Sequence, residues 1–193
     1  FARECLGIEK HLYAFHDQPE FLHRINTDLA DYTLALLEKL FKVCVPDVIA
    51  FAEDMSYNMG PMISRDSYDE FISPYYRKII PFLKEHGCTP IIDTDGLVGS
   101  LTPWLEEDGI EGASPMDRQA ANDLAKIRRD HPKFKMMGGF DKRTIHQGEE
   151  AMREEFERIL PVMRSGGFIP SVDHQTPPDV SLEMYKLYAS LLN

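Results

Sequence analysis

The chain has 193 residues, 43% of them hydrophobic, with 32 acidic against 21 basic side chains and a formal net charge of -11. That composition suits one globular domain of roughly 100–200 residues with its own core. An acid excess of this size argues against nucleic acid and anionic membrane surfaces as partners, because clustered Lys and Arg hold both. No apolar run could span a bilayer, and Phe1 to Leu6 has neither the basic start nor the apolar core of a secretory signal, so a cytoplasmic protein is expected.

Pro19 opens a helix whose apolar positions Phe21, Leu22, Ile25, Leu29, Leu36, Leu37 and Leu40 follow helical spacing. Five short apolar runs come next, and the spacing predicts strands near 47–52, 89–93, 110–114, 134–138 and 168–172. Each stops at acidic residues: Glu53 and Asp54, Asp93 and Asp95, Asp117, Asp141, and Asp173 followed by His174. Helical segments separate the runs. One starts at Ser64 to Ser67, continues through Phe71, Ile72, Tyr75, Ile79 and Phe82 with a break or kink expected at Pro74 and Pro81, and ends at Gly87. Shorter helices are expected over 100–107 and 117–129, then one over 149–164, and Ser181 is placed to cap the last. Trp104, Met136, Met137, Met152 and Met163 read as core residues, and the run Glu149, Glu150, Glu154, Glu155 and Glu157 as a solvated helix face. Cys5, Cys44 and Cys88 form no Cys-x-x-Cys and read as buried free thiols.

Strands joined by helices lie parallel, because each helix returns the chain to the starting end. All five acidic strand ends then gather at one end of the sheet, where ligands bind in α/β folds. No Gly-x-Gly-x-x-Gly or phosphate-binding loop follows any strand. Polar residues at every strand end suit a barrel, which aims all its strands at one mouth. The expected fold class is therefore α/β, a partial TIM-type (β/α)8 barrel of five parallel strands. Its open edges would be covered by strands upstream of Phe1 or by another copy in a homodimer.

Several motifs carry a family resemblance: Glu53 to Ser64 with Gly60 and Pro61, Phe71 to Lys78 with Pro74 and Tyr75, Asp93-Thr94-Asp95-Gly96, Gly138-Gly139-Phe140-Asp141 with Arg143, and Gly166 to Ser181 with Asp173, His174 and Pro177. Together they resemble the C-terminal part of the uroporphyrinogen decarboxylase superfamily, which also holds corrinoid-protein:coenzyme M methyltransferases. The resemblance implies that residues 1–193 form one domain containing strands 4 to 8 of a barrel, with the N-terminal strands missing. A start at Phe1 instead of Met fits a truncated beginning.

The methyltransferase branch implied by the resemblance carries His-x-Cys-Gly where this chain has Asp93, Asp95 and Gly96, and a further Cys in the last-strand loop where it has Asp173 and His174. Such thiolates hold zinc and activate a thiol substrate. Asp93, Asp95 and His174, with Asp173 in reach, would instead make a harder and weaker metal site; the alternative is a polar pocket whose carboxylates bond loop amides. The resemblance assigns catalytic roles to His174, Asp93 and Asp95, and substrate contacts to Asp54, Asp141, Arg143 and Asp173. Asp141 could equally cap the following helix. The leading expectation is a corrinoid-dependent methyltransferase-like enzyme that takes a small-molecule substrate, with methyl-corrinoid supplied by a partner protein. The alternatives are a tetrapyrrole-acid decarboxylase, whose essential carboxylate and arginines would lie upstream, and a truncated non-catalytic scaffold.

Overall fold

The computed structural model describes residues 2–192; Phe1 and Asn193, the outer limits of the expected domain, lie outside the described residues. Five strands form one parallel sheet in the order β1-β4-β5-β6-β7: β1 (Val48–Ala52), β4 (Thr89–Asp93), β5 (Gly112–Met116), β6 (Lys135–Phe140) and β7 (Phe168–Val172). Neighbours in the sheet follow chain order, as an arc of a barrel requires. A separate antiparallel pair, β2 (Ser56–Tyr57) and β3 (Gly60–Pro61), forms a small hairpin that the sequence pattern had not indicated.

The chain divides into two compact units. One holds the described residues up to Ile49 together with Met62–Pro90 and Glu107–Ile110. Its helices are α1 (Ala2–Leu6), α2 (Ile8–Asp17), α3 (Pro19–Leu40), α4 (Arg65–Phe71) and α5 (Ser73–Glu85). Ala2, Ala14, Phe15, Leu22 and Phe71 form its core, with the Phe15 and Phe71 rings edge-on at a centroid distance of 5.2 Å. The helix expected from Ser64 breaks in two at Ile72. Ser64 caps the first piece by accepting the Ser67 N–H, and Pro74 falls in the first turn of the second, where its missing N–H costs nothing. Pro81 is accommodated inside α5. Buried Asp108 ties these helices down, accepting from Tyr68 Oη at 2.8 Å, Ser73 Oγ at 2.7 Å and Arg77 Nε at 2.7 Å. On α3 only part of the expected apolar face is covered. Leu22 and Leu37 are buried, whereas Phe21, Leu29, Leu36 and Leu40 are exposed, because the apolar positions spread over more than one stripe of the helix.

The other unit comprises Ala50–Pro61, Ile91–Glu106 and the described residues from Glu111 onward. It holds α6 (Thr102–Glu107, up to Glu106 within this unit), α7 (Leu124–Asp130), a 3-10 turn over Lys142–Gln147, α8 (Glu149–Arg164) and α9 (Leu182–Leu191). Ile92, Ala113, Met116, Met136 and Phe140 fill the strand side of its core, and Phe140, Phe156 and Tyr188 make an aromatic cluster against α8 and α9. Burial raises the Tyr188 phenol to about 12.

Three expectations need correction. The helix proposed over 117–129 begins only at Leu124, because Asp117 to Ala121 form a turn and Asp123 supplies the cap. Glu155 is not on a solvated face; it is buried, accepts the Asp141 N–H at 2.8 Å and pairs with Arg158. Cys88 is buried as expected, but Cys5 in α1 and Cys44 in the stretch between α3 and β1 are exposed, since isolated thiols carry no burial signal of their own. Removing the α7 cap with Asp123→Ala, which deletes the 2.9 Å bond from Lys126 N, is expected to cost about 1 kcal/mol in urea unfolding.

Candidate functional site

Every candidate site residue belongs to the second unit. Parallel pairing puts the C-terminal ends of the strands together, so Asp54 after β1, Asp93 and Asp95 at the end of β4, Asp141 after β6, and Asp173 and His174 after β7 share one end of the sheet. The Asp93 carbonyl accepts both Glu53 N at 3.0 Å and Asp54 N at 3.3 Å, which joins the first two acidic strand ends directly. Asp54 reaches this position with φ of 45°, the left-handed region that Asp tolerates better than most residues.

Asp93 is the electrostatic centre of the arrangement. Partial loss of hydration raises its carboxyl above the ordinary aspartate value; repulsion from Asp54 and Asp95 adds to the rise, and attraction to His174 opposes it. His174 Nε2 lies 3.5 Å from Asp95 Oδ2, with both side chains partly open to solvent. The raised Asp93 carboxyl, two further Asp side chains and one imidazole therefore form a cluster of groups able to donate and accept protons.

The loop bearing Asp95 is fixed from the hairpin side. Ser56 N donates to Thr94 Oγ1 at 3.2 Å, Ser56 Oγ donates to the Asp95 carbonyl at 2.5 Å, and Leu97 N donates to the Tyr57 carbonyl at 2.8 Å. At Gly96 the backbone adopts φ of +83°, and a Cβ would stand 2.5 Å from Tyr57 Cα, so glycine is required there.

Asp141 and Arg143 form a second group. Arg143 donates to Asp141 from Nε at 3.0 Å and Nη2 at 2.8 Å, Gln119 Nε2 adds a bond at 3.1 Å, and Asp141 also caps the 3-10 turn by accepting Arg143 N at 2.9 Å. Burial alone would raise Asp141, but the side-chain and backbone bonds from Arg143 outweigh it and hold the carboxyl below the usual range. The stability Asp141 contributes is thus present above the unfolded carboxylate range and is lost as pH falls through the lowered folded value. Acidification in urea titrations is expected to weaken the wild-type chain more than Asp141→Asn.

Asp173 differs from the other expected substrate contacts. It is 0% exposed, and its carboxylate accepts Arg118 N at 3.0 Å and Lys142 N at 3.2 Å, linking the loops after β5, β6 and β7. Among the described residues, no group of three or more His, Cys, Asp or Glu side chains is arranged to hold a metal ion. Asp95 faces His174 as a pair, and no thiolate stands beside them. This donor set does not fit a thiolate zinc centre. Asn122, Ser56 and Thr94, which organise the loop, had not been singled out in the sequence; only the polar residue within Asp93-Thr94-Asp95-Gly96 offered a signal.

Residues 4–192 match the uroporphyrinogen decarboxylase (URO-D) family model, and the chain belongs to that family. Among its curated relatives, a uroporphyrinogen decarboxylase of Pseudomonas savastanoi pv. phaseolicola is 28% identical over 173 residues, covering 86% of this chain and 46% of the relative. Those of Campylobacter concisus and Campylobacter jejuni subsp. jejuni serotype O:23/36 are each 23% identical, covering 90% and 92% of this chain and 48% and 50% of theirs. The chain spans about half the length of the curated relatives it matches. Among the described residues, no helix is long and apolar enough to cross a membrane.

Proposed function

We propose that the complete protein is a decarboxylase acting on a tetrapyrrole carboxylic acid, and that this chain supplies the proton-delivering part of its mouth. The observation carrying this reading is the raised carboxyl of Asp93, set beside Asp54, Asp95 and His174 at the strand ends. Decarboxylation breaks the bond between a carboxylate and its carbon; carbon dioxide leaves, and the carbon takes one proton in its place. Asp93 gives that proton, because a carboxyl that holds it more firmly than usual remains a donor closer to neutral pH. His174 approaches Asp95 and, when protonated, offsets negative charge that would otherwise repel an acidic substrate. Arg143 brings a guanidinium near the strand ends, held by Asp141. The names of the matched relatives support the same reading.

The acid-rich strand ends favour a second reading, methyl transfer between a small molecule and a corrinoid carried by a partner protein, in which the substrate need not be a polyanion. Incubating the complete protein anaerobically with uroporphyrinogen separates the two. Carbon dioxide release with stepwise loss of carboxyl groups from the product supports decarboxylation. No loss of carboxyl groups, together with demethylation of added methyl-corrinoid, overturns it.

A further inference from the structure

We infer that Asn122 is the positioning residue of the acidic loop, fixing the backbone beyond Asp95 and so setting how the Asp95 carboxylate meets His174. Its catalytic meaning rests on the proposed function; its structural action does not. Asn122 is 3% exposed and sits after the turn that follows β5. Its Nδ2 donates to the Gly96 carbonyl at 2.8 Å and to the Asp117 carbonyl at 2.9 Å, while its Oδ1 accepts Val98 N at 3.0 Å. The Gly96 carbonyl and the Val98 N–H flank Leu97. One side-chain amide thus takes the two groups that a neighbouring residue takes in a parallel ladder. Leu97 N is turned the other way, to the Tyr57 carbonyl. The loop is therefore held from two sides, by the hairpin and by Asn122, with Asp95 between Thr94 and Gly96.

A second observation supports design toward this contact. Ala121, the residue before Asn122, has φ of 58°, in the left-handed region that is unfavourable for a residue with a Cβ. Asp123, the residue after it, caps α7. Between a strained turn and a helix start, the chain has one residue whose side chain can turn beneath the acidic loop, and that residue is an amide. Strain of this kind persists where surrounding bonds over-determine it; three bonds at Asn122 do so here.

The test uses the full chain uniformly labelled with 15N, with the His174 ring resonances assigned by comparison with His174→Gln. In Asn122→Ala the His174 ring resonances are expected to move at constant pH, and the Val98 amide to exchange at least about tenfold faster, as an opened loop bond does. Ala121→Gly relieves the strain; it is expected to raise the urea midpoint and leave both signals in place. The double variant Ala121→Gly with Asn122→Ala separates positioning from bulk stability. Its midpoint should recover toward wild type while the His174 resonances stay displaced. Wild-type His174 resonances in a folded Asn122→Ala chain, or their return in the double variant, would overturn the inference. None of these signals needs turnover, so they stand or fall apart from the decarboxylase reading. Where the complete protein does turn over substrate, Asn122→Ala should lower kcat by about tenfold with little change in KM.

Discussion

On the proposed decarboxylase reading, Asp93→Asn in the complete protein is expected to lower decarboxylation by roughly 100- to 10,000-fold, the usual contribution of a positioned proton donor, while raising the unfolding midpoint at pH above the folded value of the Asp93 carboxyl. The two effects have one cause. Asp93 is pushed up by partial loss of hydration and by Asp54 and Asp95, against a smaller opposing pull from His174. A carboxyl raised in the folded state contributes stability below its unfolded pKa, and that contribution is lost as pH rises through the folded value. Above the folded value the ionised group therefore weighs against folding. Asn removes the charge without changing the shape, so the stability difference between variant and wild type should open as pH rises and close in acid. The rate should behave conversely. If Asp93 donates the proton, wild-type kcat falls as pH rises through its pKa, and Asp93→Asn lacks that limb. Substantial turnover by Asp93→Asn, with the limb intact, would move the proton donor elsewhere.

The parallel sheet was legible because each strand is a short apolar run ended by a charged residue, and such punctuation survives without knowledge of neighbours. β4 and β7 occupy Thr89–Asp93 and Phe168–Val172, where the apolar pattern placed them. β5 lies two residues later than expected, at Gly112–Met116, because Ile110 is a buried residue before the strand and not its first member. Its sequence has little β-branched character to mark its limits, and partner strands decide them. The hairpin of β2 and β3 escaped for a related reason: two-residue strands have no period to read. Bonds from Ser56 and Tyr57 to the loop of Thr94, Asp95 and Leu97 place the hairpin there, and those are long-range facts.

The candidate site was legible as a set of strand-end acids and much less so as a division of labour. Asp54, Asp93, Asp95 and His174 form one electrostatic group, whereas Asp141 is bound up with Arg143 and Gln119. Both kinds of Asp look alike in the sequence, since each ends an apolar run. What separates them is the donor that reaches each carboxylate, and a neighbour 22 residues away, as Gln119 is from Asp141, leaves no local signature. Glu155 shows the same limit. It sits in an acidic run with the composition of a solvated helix face, yet it is buried because Asp141 N and the Arg158 guanidinium need an acceptor there.

Asp173 supplies the strongest test of that distinction, since the resemblance assigns it to substrate and the structure gives it backbone partners. Asp173→Ala is expected to destabilise the chain by about 2–4 kcal/mol, since each N–H left without its acceptor costs about 1–3 kcal/mol. Its carboxylate is wholly buried and is the acceptor for Arg118 N and Lys142 N, so removing it leaves two N–H groups without that acceptor and a void at the loop crossing. Asp173→Asn should recover part of the loss, because the amide oxygen can serve one N–H while its NH2 confronts the other donor. A residue that only contacted substrate would behave in the opposite way: Ala and Asn would unfold with the wild-type midpoint and differ only in KM. The two outcomes are distinguished by urea unfolding of the three chains. The neighbouring His174 adds a second reading, because its backbone follows Asp173 directly. Loosening that anchor should displace the His174 ring resonances from their wild-type positions in Asp173→Ala more than in Asp173→Asn, in step with the stability lost. Equal unfolding midpoints for all three chains would return Asp173 to the substrate.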